Sequence, residues 1–374
     1  MAMDIIEATR SFEAWLKNQI AIVRPDLDYK HQQMRADAFL YFRATYYRWA
    51  QIWPEYCRKL ARAEEAYVVG DLHIENFGTW RDAEGRLVWG VNDFDEAHPM
   101  AFPNDLVRLA VSAFLAAEAS DHFNLTPEET CKQLTGGYRE QIESGGEPFV
   151  LMEKHPELRR MAVQDLRQPA PFWQRIEAKS ALARHAPPAS ARKAIRDLLP
   201  GSIKPAYRIL TKPKGLGSLG RQRFLAMADH KGGVIAREAK EVAPSAWLWA
   251  SGRGKRAGNG NPWLEKIVRA AVRCPDPWWE VRRGWLVRRL APDCSRIDID
   301  ELVHHRDLAS LLHAMGAETA NVHLGTPRKG RKRIRAEWAD LPKDWLLHAA
   351  REMHKVTLRE WRAFRKAGKR KLAG

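Results

Sequence analysis

Two short apolar runs, each followed at once by a polar stretch, constrain the fold of this 374-residue chain more than any other feature. The first run covers residues 67–69 and leads into the polar stretch 70–78; the second covers residues 87–91 and leads into the stretch 92–96. Apolar runs that end at Gly, Asp and Asn are typical of strands bounded by loops. The first 65 residues differ, since their apolar positions recur at helical spacing. We therefore expect helices first, and then two strands that each end in a polar loop.

The two polar loops hold side chains that suit the transfer of a phosphoryl group. Such a reaction needs a carboxylate that faces the acceptor hydroxyl, and oxygen ligands that hold Mg²⁺ on the phosphates of a nucleotide. Asp71 would orient or deprotonate the acceptor, whereas Asn76 and Asp93 would hold the metal. Asp95 is a further candidate metal ligand. His73 is a further candidate catalytic residue, although a histidine in such a loop can equally well bond its own backbone.

Glycines with a spacing typical of phosphate-covering loops lie in the second half of the chain. This stretch supplies four candidate nucleotide contacts: Gly215, Gly217, Ser218 and Gly220. The spacing alone is a weak signal, because glycines also form ordinary hairpin turns. It gains weight because a strand, a turn and another strand lead to Lys240, where a lysine would grip the phosphates. Glu265, in a helix expected over residues 262–273, is the candidate partner of Lys240.

Three pieces of the first half carry a resemblance to a known group: residues 70–76, Asp93-Phe94-Asp95 and Asp105-Leu106. Together they resemble the catalytic segment of the aminoglycoside phosphotransferase and choline-kinase group of the protein-kinase-like superfamily. Residues 70–78 and 92–112 resemble more closely a bacterial family known as domain of unknown function 2252. The kinase resemblance implies ATP and Mg²⁺ as cofactors. It also implies that Asp105 caps a helix and steadies the catalytic loop.

The order of these segments differs from that of an ordinary kinase, in which the glycine loop and the lysine precede the catalytic loop. Here the catalytic segment comes first, and a helix at 306–314, which resembles the one that precedes the catalytic loop, lies near the C-terminus. A circular permutation accounts for both displacements, and chain ends that lie close together on a domain surface make it tolerable. The predicted fold is therefore α+β: a two-lobed, protein-kinase-like fold that is circularly permuted.

The expected organisation has five parts. They are the catalytic-loop part of the C-lobe at 1–145, a helical connector at 146–204, the glycine-loop N-lobe at 205–300, a C-lobe helix at 301–327 and a basic helical tail at 328–374. The formal net charge is +16, of which +11 lies in this tail. The tail could bind a polyanion such as nucleic acid or an acidic lipid surface, or it could form a helix packed on the core with a solvated basic face.

The expected function is an ATP- and Mg²⁺-dependent phosphotransferase that acts on a hydroxyl of a small molecule or a protein. Three alternatives stay open: a kinase-like scaffold that binds nucleotide without transfer, an enzyme that transfers AMP, and a nucleic-acid-binding protein that acts through the tail. No apolar run is long enough for a transmembrane helix, and the N-terminus lacks a signal-peptide pattern. We therefore expect a cytoplasmic protein.

Overall fold

In this computed structural model the described residues are 3–120, 123–164, 168–178, 181–182, 187–203, 207–211, 220–254, 260–294, 296–297 and 304–368. Within them the chain forms helices α1 (Ile5–Lys17), α2 (Arg24–Ala36), α3 (Ala38–Ala44), α4 (Tyr46–Tyr56), α5 (Pro103–Ala119), α6 (Pro127–Ser144), α7 (Pro156–Gln164), α8 (Pro169–Ala178), α9 (Ala189–Asp197), α10 (Ala246–Ala250), α11 (Pro262–Ala270), α12 (His305–His323), α13 (Arg328–Asp340) and α14 (Trp345–Lys366). The strands are β1 (Glu65–Val68), β2 (Phe77–Arg81), β3 (Leu87–Val91), β4 (His98–Ala101), β5 (Phe149–Val150), β6 (Ala181–Leu182), β7 (Arg208–Thr211), β8 (Arg223–His230), β9 (Gly233–Glu241), β10 (Glu280–Arg282) and β11 (Trp285–Leu290). The predicted α+β class is confirmed.

The first four helices confirm the helical pattern read from the first 65 residues. The apolar side chains that recur at helical spacing there are buried: Phe39, Phe42, Tyr46, Trp49 and Ile52. They join one large apolar cluster that also contains residues of α5, α12 and α14. The two polar loops pack against this apolar cluster.

Short antiparallel pairings hold the two polar loops side by side. β1 pairs with β4, and β2 pairs with β3 so that Phe77 lies opposite Val91. The residues just beyond this pair are also neighbours, since the Asn92 backbone N–H donates to the Asn76 carbonyl oxygen at 2.8 Å. The sequence pattern predicts β1 and β3 but misses β2 and β4. β2 follows the polar loop without a break and contains Gly78, which hides its strand character.

The second half of the chain forms a six-stranded antiparallel sheet with the strand order β10-β11-β9-β8-β7-β6. Neighbouring residues of a strand face opposite sides of a sheet. Ala226 and Ala239 on one face pack against Ile195 of α9. Lys240 lies on the opposite face, which is the face turned towards the polar loops. The helices α10 and α11 connect β9 to β10.

Helices α6 and α12 cross closely because glycine lies at both points of contact. A Cβ atom at Gly137 would overlap the carbonyl group of His313, and one at Gly316 would overlap that of Leu134. This close crossing brings His323, at the end of α12, into the core behind the first polar loop.

The basic tail ends in a helix that packs on the rest of the chain. α14 lies against α5 and buries four apolar residues at near-helical spacing: Leu346, Ala350, Met353 and Phe364. Phe364 shares an apolar cluster with Ile5 and Ile6, so both ends of the described chain lie together. Among the described residues, no helix has the length and apolar character needed to cross a membrane.

Candidate functional site

The two polar loops and one face of the six-stranded sheet enclose a cavity of about 930 Å³. Five predicted site residues line it: Asp71, His73, Asn76, Asp93 and Asp95. Four charged side chains from the sheet side form the opposite wall of the cavity: Arg221, Arg223, Glu238 and Arg288. Residues that lie far apart in sequence therefore share one cavity.

The carboxylate of Asp71 is held by Arg108, which the sequence interpretation did not single out. Arg108 Nε donates to Asp71 Oδ1 at 3.0 Å, and the Arg108 side chain is fully buried. Its guanidinium lies over the Phe42 ring, 4.0 Å from the ring centre. Both hydrogen bonds that Arg108 donates to Asp71 end at Oδ1, and 17% of the Asp71 side chain stays exposed. Burial raises the pKa of Asp71, while the charge of Arg108 acts in the opposite direction.

Asp105 holds the start of the first polar loop through hydrogen bonds to the backbone. Its carboxylate accepts hydrogen bonds from the backbone N–H groups of Val69 at 2.7 Å and Gly70 at 3.0 Å. His323 Nε2 lies 3.3 Å from the same carboxylate, and His323 Nδ1 lies 2.9 Å from the Tyr138 hydroxyl. The carboxylate has no solvent exposure. These contacts are those of a residue that steadies a loop, although Asp105 lies in the first turn of α5 and not at its cap.

Gly70 turns the chain from β1 into the first polar loop. Its φ angle of 82° lies in the left-handed region, which favours glycine. A Cβ atom at this position would also lie 2.6 Å from the carbonyl oxygen of Glu96 and 2.8 Å from the Tyr46 hydroxyl. Both the backbone conformation and the close approach of the second loop therefore require glycine.

Asn76 and Asp93 present oxygen atoms that suit Mg²⁺. Asn76 Nδ2 donates to the Asp71 carbonyl oxygen at 2.5 Å, which fixes the amide and leaves Asn76 Oδ1 without a partner among the described residues. Asp93 keeps 38% of its side-chain exposure. Mg²⁺ is usually held by one or two protein oxygens together with substrate phosphates and water. Within the described ranges, no group of three or more His, Cys, Asp or Glu side chains is arranged to hold a metal ion alone.

Lys240 reaches from β9 to both carboxylates of the second loop. Its Nζ lies 3.4 Å from Asp93 Oδ1 and 2.5 Å from Asp95 Oδ2, and its side chain is 5% exposed. Partial burial acts to raise the pKa of Asp93, but Lys240 and Arg288 outweigh it and lower that pKa to about 2. Asp93 is therefore ionised at neutral pH, as a metal ligand must be.

Asp95 and Glu96 connect the second polar loop to the sheet side of the cavity through ion pairs with Arg221. Arg221 donates to Asp95 Oδ2 at 3.2 Å and to Glu96 Oε1 at 2.9 Å. Since Asp95 also contacts Lys240, its carboxylate is shared by two cations. Asp93 is consequently the better placed of the two aspartates to bind a metal. The sequence interpretation did not find Arg221, because no local pattern links it to a loop more than a hundred residues earlier.

A buried charge cluster forms the sheet wall of the cavity. Glu238 lies two residues before Lys240 on the same face of β9 and is 1% exposed. It pairs with Arg223 at 3.3 Å and with Arg288 of β11 at 2.9 Å. This wall is therefore charged and strongly polar, and two of its three members lie on strands next to β9.

His73 bonds its own backbone, the second of the two roles considered for it. Its Nδ1 accepts a hydrogen bond from the Glu75 N–H at 3.2 Å. Burial, together with the nearby charges of Arg43, Arg108 and Arg296, lowers the pKa of His73 well below its usual range. His73 is therefore neutral at physiological pH, with its proton on Nε2.

The predicted nucleotide contacts fall into two groups. Three of them lie outside the described residues: Gly215, Gly217 and Ser218. Gly220 is described, with a φ angle of 95° and a carbonyl oxygen that accepts from the Val23 N–H at 2.9 Å. Glu265 does not pair with Lys240 as predicted. It pairs with Arg269 one turn later in α11, at 2.7 Å, while Lys240 is occupied by the two nearer carboxylates of the second loop.

Comparison with known proteins gives one family match. Residues 23–197 match the family described as "Uncharacterized protein conserved in bacteria (DUF2252)". No curated protein and no solved structure matches the chain significantly. The matched region contains the site residues of both polar loops and those of α5, and it ends before strands β7 to β11. Over residues 23–197, the chain is therefore similar to the bacterial family DUF2252.

Proposed function

We propose that this chain is a kinase-like phosphotransferase that uses a nucleoside triphosphate, ATP, with Mg²⁺ and acts on a hydroxyl group. One observation carries the proposal: Asp71, Asn76 and Asp93 line one cavity, and Lys240 contacts Asp93. An acceptor-orienting carboxylate, two oxygen ligands for a metal and a lysine for phosphates are the parts that phosphoryl transfer needs. The acceptor is a small molecule or a protein.

Each residue has a role that follows from its surroundings. Asp71 orients the acceptor hydroxyl and accepts its proton, because burial raises its pKa and Arg108 leaves Oδ2 open to the cavity. Asn76 Oδ1 and the Asp93 carboxylate would hold Mg²⁺, which supplies charge neutralisation for the phosphates. Lys240 binds the phosphates from the sheet side, and the ion pairs it makes in their absence keep it in position.

The strand order supports a kinase-like nucleotide lobe. β7, β8 and β9 are neighbours, and β11 and β10 complete the sheet on the side of β9. The predicted glycine loop lies between β7 and β8 in sequence, and Lys240 follows on β9. The helix α11 lies between β9 and β10 in sequence, where a kinase has the helix that carries its glutamate. The ion pair of Glu265 with Arg269 departs from that pattern.

The contact between the end of α12 and β1 supports the circular permutation. The Tyr67 backbone N–H donates to the Thr326 hydroxyl at 2.9 Å, and His323 contacts Asp105 below the first loop. A chain that ran directly from α12 into β1 would read in the order of an ordinary kinase. The packing of Phe364 with Ile5 and Ile6 brings together the ends that such a permutation leaves.

Replacing Lys240 by Met is expected to weaken MgATP binding by about tenfold or more, because a charge-assisted contact to the phosphates is lost. Titration calorimetry on wild type and Lys240→Met measures this directly. The matched control is Lys132→Met, which changes an exposed lysine of α6 and should bind like the wild type. Equal MgATP affinity in wild type and Lys240→Met would remove Lys240 from the nucleotide site.

A further inference from the structure

Arg43 contributes a cation to the cavity from an element outside both polar loops. It lies at the end of α3, and its side chain is 16% exposed. The Arg43 guanidinium lies over the Phe39 ring, 5.5 Å from the ring centre, and this contact helps to fix its position. Arg43 lines the same cavity as Asp71 and Asp93, so the guanidinium lies near the centre of the proposed reaction.

Among the described residues, Arg43 has one carboxylate partner, and it shares that partner with a second arginine. Arg43 Nη1 lies 2.7 Å from Glu75 Oε2, and Arg296 pairs with the same oxygen. All three residues line the cavity. Within the part of the chain that the structure describes, two guanidinium groups on one carboxylate leave one formal positive charge uncompensated beside Asp71.

The neighbouring groups that the structure describes do not take up this charge. Asp71 is already paired with Arg108, and Asp93 is paired with Lys240. His73 is neutral and gives its Nδ1 to a backbone N–H. In addition, Arg43 Nε is buried and has no hydrogen-bond partner among the described residues. A buried guanidinium N–H without an acceptor is costly, and a bound oxyanion would relieve that cost.

We infer that Arg43 and Arg296, which are bridged by Glu75, form a subsite for a phosphate-type oxyanion beside Asp71. Arginine suits this role because its planar fork matches the oxygens of a phosphate group. The inference rests on the proposed function in one respect: it treats Asp71 as the residue that faces the acceptor. Two sources could supply the oxyanion, the terminal phosphate of the nucleotide or a phosphate group on the acceptor.

Binding of inorganic phosphate to the full chain without nucleotide tests the subsite, for example by ³¹P NMR titration at constant ionic strength. The wild type is expected to bind, Arg43→Gln to bind about tenfold or more weakly, and Arg296→Gln to be weakened less. The control Arg306→Gln changes an arginine that is 83% exposed and pairs with Glu157, so it should match the wild type. Arg296→Gln also guards against misfolding, since Arg296 is 48% exposed.

Two results would overturn the subsite: no binding of millimolar phosphate to the wild type, or equal affinities in wild type, Arg43→Gln and Arg296→Gln. Repeating the titration with MgADP and with a non-hydrolysable MgATP analogue identifies the source. Displacement of phosphate by the ATP analogue alone assigns the subsite to the terminal phosphate, and retention with both assigns it to the acceptor. If neither nucleotide binds, the proposed function fails, while the titration without nucleotide still decides the subsite.

Discussion

Asp71→Asn is expected to lower phosphoryl turnover by about 10²–10⁴-fold, the range associated with loss of a general base, while MgATP affinity is retained. Asn has no carboxylate to accept the proton, but its amide oxygen can still accept the hydrogen bond from Arg108 Nε. The measurement is the rate of γ-phosphate release from MgATP, together with MgATP affinity from calorimetry.

A matched control for this variant is Asp340→Asn, which changes an exposed aspartate at the end of α13. It should leave both turnover and affinity at wild-type values. Thermal melting of both variants checks that the buried charge of Arg108 does not unfold Asp71→Asn. Wild-type turnover in a folded Asp71→Asn variant would remove Asp71 from the chemistry.

Asp105→Ala is expected to reduce the free energy of unfolding by about 4 kcal/mol, because two buried backbone N–H groups lose their acceptor at roughly 1–3 kcal/mol each. Those groups belong to Val69 and Gly70, so the first polar loop loses its anchor. Asp105→Asn keeps one carbonyl oxygen and should fall between wild type and Asp105→Ala. Urea unfolding with linear extrapolation measures all three proteins.

The control for this second prediction is Asp344→Ala. Asp344 precedes α14, is exposed and makes no capping hydrogen bond, so its loss should change stability by less than about 0.5 kcal/mol. A loss below about 1 kcal/mol for Asp105→Ala would contradict the anchoring role, because two buried N–H groups without an acceptor should together cost at least about 2 kcal/mol.

Sequence alone predicts the polar loops well because their signal is local. A strand that ends in Asp and Asn is visible in a dozen residues, and the loop residues Asp71, Asn76 and Asp93 do line one cavity. The strands that lead to Lys240 are equally visible, since two runs with apolar residues are separated there by a polar turn that contains Gly232 and Gly233. Both predictions need only the pattern of neighbouring residues.

The partners of these residues could not be predicted with the same ease, because they come from distant segments. Arg221 contacts Glu96 across 125 residues, and Lys240 contacts the second loop instead of Glu265. Arg108 did leave a signal: it is an arginine three residues after Asp105 in a helix that is otherwise apolar along its first turns. A charged residue at a core position of a helix indicates a buried partner of opposite charge.

In the proposed function, Asp93 holds Mg²⁺ on a bound nucleotide. The test is thermal melting of wild type and Asp93→Asn with ATP, once with Mg²⁺ and once without it. At a hundred times the dissociation constant, a ligand stabilises its protein by about 2.7 kcal/mol, which raises Tm by a few degrees. We expect a Mg²⁺-dependent rise in the wild type that is lost in Asp93→Asn. No rise in the wild type, or an equal Mg²⁺-dependent rise in both proteins, would contradict it.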